Sequence, residues 1–301
     1  MIYTITFNPA IDYVINNDKV DINSVNKIDE RYLLAGGKGV NASVLLTRLG
    51  IINESIVFTG GNTGRMFESI LNNENVNYTS FDSGFDTRIN VKVNTSKNNF
   101  ELNGRKEELS KDSVKKFLKY LKNKVNADDF VLIMGSYPSD ELLDKVIKIV
   151  NKKNANVVLD VDSKNILNII KDNDIFFIKP NEDEIKNIVN VEGNSEKIIK
   201  DSMEKVIKLG VENIMVSLGE KGSLFMNKDK YYKVIPAKID LVNPVGSGDS
   251  TVAGFVYSLS LEKTIEESII FANACGAATA SKIWIADKDT VENLVPSISI
   301  K

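Results

Sequence analysis

The chain predicts an α/β fold built on a mostly parallel sheet with helices on both faces, and three features carry that expectation. Short β-rich runs recur at residues 2–7, 55–59, 130–134, 156–161, 175–178 and 214–218. Between the later runs lie segments with helical apolar spacing, such as Val114-Phe117-Leu118-Leu121 and Leu142-Val146-Ile147-Val150, and strands alternating with helices signal a parallel sheet. The runs are apolar almost without interruption, as in Phe130-Val131-Leu132-Ile133-Met134, which fits strands buried on both faces.

Taken in order, the run at 2–7 opens the chain without the basic start and apolar stretch of a signal peptide. Residues 13–34 and 87–102 then break the alternation. They are polar, β-branched and short-periodic, with Asn-rich turns at Asn16-Asn17 and Asn98-Asn99. Both are expected to be strands of one small accessory sheet outside the main layers. Because the two pieces are distant in sequence, they would form a discontinuous lid on a single domain spanning 1–301. The segment 40–49 reads as a helix closed by Gly50, and another helix opens at Ala253 after a glycine turn.

The composition narrows the chemistry. A chain of 301 residues, 43% hydrophobic, suits one large α/β domain. A formal charge of −3 gives no electrostatic reason to expect nucleic acid. No apolar stretch approaches the roughly 18 residues of a membrane helix, so no membrane partner is expected. The single cysteine, Cys275, excludes an internal disulfide and any CxxC site, which fits a reducing cytosol and a cytoplasmic protein. Histidine is absent altogether, which removes Ser-His-Asp and Cys-His nucleophiles, His-ligated zinc and imidazole bases. What remains favours reactions that need mostly positioning and charge stabilisation, with phosphoryl transfer foremost.

The most informative stretch is Asn243-Pro244-Val245-Gly246-Ser247-Gly248-Asp249-Ser250-Thr251. A helix starting near Gly248 would aim unpaired N–H groups and its positive dipole end at the turn, a ready site for an anion. A carboxylate there would normally repel such a ligand, so Asp249 reads either as a helix cap or as a base that takes a proton from a hydroxyl attacking phosphorus. Ala35-Gly36-Gly37-Lys38-Gly39-Val40-Asn41-Ala42 also opens a helix with glycines and a lysine. It is no Walker loop. Its loose GxGxxA match leaves a dinucleotide turn, a plain structural turn and a substrate-binding turn as readings. Asp12 is either a turn residue after the first strand or a ligand for sugar hydroxyls at the strand's carboxyl end. Arg88 is either a surface charge or a phosphate clamp. In Asn181-Glu182-Asp183-Glu184, Asn181 and Glu184 have the spacing of a capping box and equally of a hydrated Mg²⁺ environment near ATP phosphates. The turn at 216–222 is a generic glycine turn when taken alone.

The segments MIYTITFNPAID, GGKGVN, TRIN, KPNEDE, SLGEKG and VNPVGSGDSTVAG occur in this order over the whole chain. Together they resemble the ribokinase-like carbohydrate kinases, in the phosphofructokinase B branch. MIYTITFNPAIDYVI and DTRINVK are similar to the 1-phosphofructokinase group, and NPVGSGDSTVAG leans to the tagatose-6-phosphate kinase group. The resemblance implies transfer of the ATP γ-phosphate to a ketohexose monophosphate, fructose 1-phosphate first and tagatose 6-phosphate as the alternative. It implies Asp249 as base, kept ionised by the helix dipole, with Gly246, Ser247 and Gly248 as anion hole. Asp12, Gly37 and Asn41 would hold the sugar, and Lys38, Arg88 and Ser136 its phosphate. Asn181 and Glu184 would act on Mg²⁺ through water. Ser217, Gly219, Gly222 and Gly248 would line the nucleotide, with Asn273 near adenine. The resemblance also implies a homodimer formed through the lids and leaves a monovalent-cation requirement open. One departure stands out: the family's Asn-x-x-Gly-Pro element is replaced by Asn103-Gly104-Arg105-Lys106-Glu107. Two other classes compete with the kinase reading. One is a non-catalytic sugar-phosphate sensor on the same fold. The other is a nicotinamide-dependent oxidoreductase, resting on the GxGxxA match alone.

Overall fold

Every strand run read from the sequence is part of one large sheet. The computed structural model describes residues 1–161, 165–193 and 195–301. Its strands are β1 (Ile2–Thr6), β2 (Ala10–Asn16), β3 (Glu30–Gly36), β4 (Asn53–Thr59), β5 (Tyr78–Asp82), β6 (Arg88–Asn94), β7 (Asn99–Asn103), β8 (Phe130–Met134), β9 (Asn156–Asp160), β10 (Ile175–Ile178), β11 (Val211–Ser217), β12 (Ser223–Asn227), β13 (Tyr231–Ile235) and β14 (Ser299–Ile300). The helices are α1 (Lys38–Arg48), α2 (Gly61–Asn73), α3 (Lys111–Lys124), α4 (Asp140–Asn151), α5 (Ile166–Lys171), α6 (Glu182–Val189), α7 (Glu196–Lys208), α8 (Ser247–Ser260), α9 (Ile265–Ala280) and α10 (Lys288–Leu294).

The large sheet has the order β14-β13-β12-β11-β10-β9-β8-β1-β4-β5. Strands from β11 to β5 run parallel, and β12, β13 and β14 add antiparallel pairs at one edge. The chain winds from β1 to β4 and β5 in one direction, then places β8 on the other side of β1. That reversal opens a crevice at the carboxyl ends of β1 and β8, where open α/β sheets bind ligands.

Strand composition accounts for the layers. In β8, Leu132 and Met134 join the apolar layer beneath α1, α8 and α9, while Val131 and Ile133 join the layer beneath α3, α4 and α7. Alternation at period two thus feeds two cores from one apolar run. Phe7, Phe58, Phe81 and Phe117 pack ring to ring in the second layer at centroid distances of 5.3–5.7 Å. In the first layer, α8 and α9 approach closely through small residues. A Cβ on Gly254 would lie 2.6 Å from the Cys275 sulfur, so the buried cysteine is a packing group. No helix among the described residues is long and apolar enough to cross a membrane.

The second sheet, ordered β3-β2-β6-β7, comes from the two segments that break the alternation. It begins at Ala10 rather than at residue 13, so Asp12 lies within β2, paired with Leu34 and Asn90, and not in a turn after β1. The pleat gives the sheet a polar face with Asp12, Asn90 and Lys92 and an outer face with Leu33, Ile89, Val91 and Leu102. Strands β5, β13 and β14 carry no continuous apolar run and were not visible as strands in the sequence.

The glycines of the 35–42 segment are explained by where α1 starts. The first turn of α1 sits on the carboxyl end of β1. A Cβ on Gly39 would lie 2.5 Å from Thr6 Oγ1 and 3.0 Å from the Ile5 carbonyl, and Gly37 has φ +127°. Gly39→Ala is therefore expected to lower stability by about 1–3 kcal/mol, the usual cost of overpacking. Denaturant melts read this directly, and an unchanged midpoint would show that α1 can shift away from β1 at no cost.

Candidate active site

The site is built along the carboxyl ends of the parallel strands. Asp249 occupies the first turn of α8 and is buried, and its Oδ2 accepts a 2.8 Å hydrogen bond from Asn41 Nδ2 on α1. Gly246 ahead of it has φ +83°, a left-handed conformation that glycine adopts without strain. A Cβ there would also lie 2.9 Å from Ile285 Cδ1. The resulting turn leaves backbone donors free. Among the described residues nothing accepts the N–H of Gly246, Gly248 or Asp249, whereas the Ser247 N–H bends back to the Pro244 carbonyl at 3.3 Å. Of the three N–H groups expected to form an anion hole, those of Gly246 and Gly248 are thus without an acceptor among the described residues, and that of Ser247 is engaged within the turn.

Two lysines face this turn. Lys179 follows β10 and is buried, and a Cβ on Gly248 would lie 3.0 Å from its Nζ. Its ammonium takes no hydrogen bond or ion pair among the described residues. Lys38, at the start of α1, bridges to Asp160 at the end of β9 with Nζ–Oδ1 at 3.1 Å. Burial, then the Asp160 carboxylate, pushes the Asp249 pKa up to about 6, against the Asn41 hydrogen bond and the charges of Lys38 and Lys179. Desolvation is thus the largest influence on Asp249, yet a value of about 6 still leaves the carboxylate mostly ionised at neutral pH, as expected. The result is a carboxylate poised just below neutrality, as a general base should be.

Arg88 and Ser136, far apart in sequence, meet through Asn8. Asn8 Nδ2 donates to the Ser136 carbonyl at 3.1 Å and to its Oγ at 3.2 Å, and the Asn8 carbonyl accepts from Arg88 Nη2 at 3.1 Å. Arg88 Nη1 donates to the Gly104 carbonyl at 3.3 Å, while its buried Nε has no partner among the described residues. Gly104 thus belongs to the Arg88 setting. Arg105 does not, because its side chain is 86% exposed and pairs with Glu107. Asp12 lies nearby on β2, held by Asn90 Nδ2 and Lys92 Nζ, each at 2.8 Å. Asp12, Lys92, Asn41 and Trp284 line one cleft between the small sheet and the main layers.

The residues expected on the nucleotide side lie at the next strand ends. Ser217 N–H donates to the Pro180 carbonyl at 3.1 Å, which joins the KPNEDE and SLGEKG turns side by side. Gly219 and Gly222 shape the second turn with φ +61° and +92°. Asn181 and Glu184 form a full capping box on α6: Asn181 Oδ1 accepts from the N–H of Asp183 and Glu184, and Glu184 Oε2 accepts from the Asn181 N–H. Glu184, Asp160 and Lys179 line a cavity of about 460 Å³. Asn273 lies on α9 behind this turn. Its amide is bonded to Ser223 at 2.9 Å and to the Ile269 carbonyl at 2.9 Å, so it ties α9 to β12. Sequence reasoning gave no role to Lys179, Asp160, Asn8 or Trp284. Lys179 and Asn8 had a visible signal, since both lie within quoted motifs.

Comparison with known proteins defines the class. Residues 5–286 match the profile of the pfkB family carbohydrate kinases, and the chain belongs to that family. It is an ATP-dependent sugar kinase with a ribokinase-like fold. Among its relatives is a 1-phosphofructokinase of Bacillus subtilis, 32% identical over 304 positions covering 100% of this chain and 99% of the relative. A D-tagatose-1-phosphate kinase of Bacillus licheniformis is 28% identical over 100% of this chain and 99% of its own length. In structure, Escherichia coli phosphofructokinase-2 in complex with substrates and products superposes with a TM-score of 0.91 at 23% identity, covering 98% of each chain. These relatives place the chain among kinases acting on ketohexose phosphates.

The raised pKa of Asp249 carries a stability consequence. Its folded value, about 6, lies above the unfolded value near 3.9, so the native state holds the extra proton. That contribution is fully present below about pH 4 and is lost as pH rises through about 6. Asp249→Asn is therefore expected to stabilise the fold above pH 7, by up to about 3 kcal/mol, with the gain fading toward pH 4. Thermal melts at pH 5 and pH 8 test this. A variant less stable than the parent at pH 8 would mean that the ionised carboxylate is a net stabiliser.

Proposed function

We propose that this chain transfers the γ-phosphoryl group of ATP to the 6-hydroxyl of fructose 1-phosphate, giving fructose 1,6-bisphosphate and ADP. The observation that carries the reading is the junction at α8. A buried carboxylate with pKa about 6 stands beside free backbone donors and the Lys179 ammonium. In the proposed step Asp249 accepts the hydroxyl proton as the sugar oxygen forms its bond to phosphorus, and the bond from phosphorus to the β,γ-bridging oxygen breaks. The N–H groups of Gly246, Gly248 and Asp249, with Lys179, stabilise the charge on the migrating group, the main task in phosphoryl transfer. Asp12, Gly37 and Asn41 hold the sugar. Arg88, Ser136 and Lys38 surround its phosphate, and Asn8 joins the first two. Ser217, Gly219 and Gly222 line ATP.

A hydrated Mg²⁺ fits Glu184. One of its carboxylate oxygens is taken by the cap, no partner engages the other among the described residues, and the residue lines the cavity shared with Asp160 and Lys179. Mg²⁺ bound there would neutralise charge on the ATP phosphates. Direct binding by three carboxylates has no support among the described residues. Asn181, whose side-chain oxygen caps α6, would act by holding Glu184 in place.

The small sheet acts as a lid over the sugar, excluding water that would otherwise hydrolyse ATP. Its outer face carries Leu33, Ile89, Phe100 and Leu102, with Leu102 62% exposed. This apolar face supports a cytoplasmic homodimer joined lid to lid. Leu102→Lys is expected to shift the protein toward monomer in sedimentation, and a monomeric parent would remove the proposal.

A second reading comes from the tagatose relative. Its name indicates a 1-phosphate substrate, which makes tagatose 1-phosphate a rival to fructose 1-phosphate and moves the alternative away from tagatose 6-phosphate. Initial rates of ADP formation with fructose 1-phosphate, tagatose 1-phosphate, tagatose 6-phosphate and fructose 6-phosphate, compared as kcat/KM, decide among them. Fructose 1-phosphate is expected to lead, and Asp249→Asn to lose turnover by at least about a hundredfold, as removal of a general base commonly does. A preferred 6-phosphate would overturn the substrate, and an active Asp249→Asn would overturn the base.

A further inference from the structure

The cleft holds a large side chain that neither the motifs nor the family residues account for. Trp284 is the sole tryptophan of the chain and lies in the segment between α9 and α10. It lines the cleft with Asp12, Asn41 and Lys92. Its indole Nε1–H points to Asn41 Oδ1 at 3.4 Å, a long hydrogen bond, while Asn41 Nδ2 donates to Asp249 Oδ2 at 2.8 Å. The three residues come from three separate parts of the chain and form one line: indole, amide, carboxylate.

A carboxamide has a donor end and an acceptor end of nearly the same shape, so packing alone does not choose between its two orientations. With Asn41 reversed, its oxygen would face the Asp249 carboxylate, and the two acceptors would repel. An ionised Asp249 selects the observed orientation, but a protonated Asp249 can pair with either end, accepting from the NH2 group or donating its O–H to the amide oxygen. The indole N–H is a donor only, and so selects the same orientation whatever the charge on Asp249. The indole is itself held from behind. The Arg48 guanidinium lies 5.1 Å from its ring centroid and is tied to Glu74 at 2.7 Å and to the Ile285 carbonyl.

We propose that Trp284 is a positioning residue for the transfer step: its N–H fixes the Asn41 amide so that Nδ2 always faces Asp249, and Asp249 meets the sugar hydroxyl ready to accept a proton. The inference rests on Asp249 being the base. The charged groups facing that carboxylate are Asp160 from the end of β9, Lys38 from α1 and Lys179 from the end of β10, beside the N-terminal N–H groups of α8 itself. None of them bonds the acceptor end of Asn41 among the described residues. Trp284 therefore acts on the orientation of the amide, and the lysines and Asp160 act on the charge.

Trp284→Phe keeps the ring and removes the donor. The acid limb of its kcat/KM profile is expected to move up by roughly half to one pH unit, the equivalent of one neutral hydrogen bond. Activity would then fall several-fold near pH 6 and stay close to the parent near pH 8.5. A loss by the same factor at every pH, or no loss, would show Trp284 to be only a wall of the cleft and overturn the proposal. A second measurement uses the unaltered indole. Emission of the parent, titrated without substrates, is expected to show an inflection that coincides with the acid limb and disappears in Asp249→Asn. An inflection that persists in Asp249→Asn, or a flat titration of the parent, would break the link. Because the fluorescence pair needs no turnover, an active Asp249→Asn would remove the base reading while the fluorescence still decides the contact.

Discussion

The burial of one carboxylate at a helix N-terminus is the constraint on which the rest of the site depends. Taking Asp249 out of water penalises its charge, and the nearby Asp160 adds to the penalty. A fold that left this uncompensated would hold a protonated acid at the centre of its cleft. The compensation comes from three groups: the Asn41 amide and the ammonium groups of Lys38 and Lys179. The balance leaves the group ionised at neutral pH yet basic enough to accept a proton. An exposed aspartate, with its lower pKa, would be a weaker base. The burial of this carboxylate is unfavourable, offset but not erased.

That balance explains several features which would otherwise look unrelated. The glycines at 37 and 39 let α1 sit on the carboxyl end of β1, and this brings Lys38 and Asn41 to the site. The left-handed Gly246 turns the chain so that α8 aims its free N–H groups at the cleft. The small residues Gly254 and Gly276 let α9 press against α8 and keep it straight on the sheet. Lys179 and Asp160 arrive because their strands end in the same row, next to the reversal of strand order between β1 and β8. The strand ends therefore supply Asp160 and Lys179, and the start of α1 supplies Lys38.

The polar face of the small sheet is a second charge problem solved locally. Asp12 is nearly enclosed, and Lys92 and Asn90 from β6 satisfy both its oxygens. A Cβ at Gly36 would lie 2.6 Å from the Asp12 carboxyl carbon, so β3 needs a glycine opposite it. The same sheet turns leucine, isoleucine and phenylalanine outward. Polar inside and apolar outside is the reverse of an ordinary half-buried sheet.

Much of this was legible in the sequence, and the reason is periodicity. Apolar runs of strand length separated by helical patterns determined the parallel sheet. The motifs placed Asp249, Asn181, Glu184, Arg88 and the glycine turns at the ends of elements, where local backbone chemistry dictates residue type. The capping box on α6 and the turn before α8 are local structures and could be read from a few neighbouring residues. The tertiary structure decided what depends on distant partners. Asn8 links Arg88 to Ser136, Trp284 meets Asn41 across 243 positions of sequence, and Lys179 reaches Gly248 from another strand. It also decided the ionisation of Asp249. A helix dipole can be inferred from sequence, but desolvation depends on everything packed around the group, and it is the largest cause of the raised Asp249 pKa.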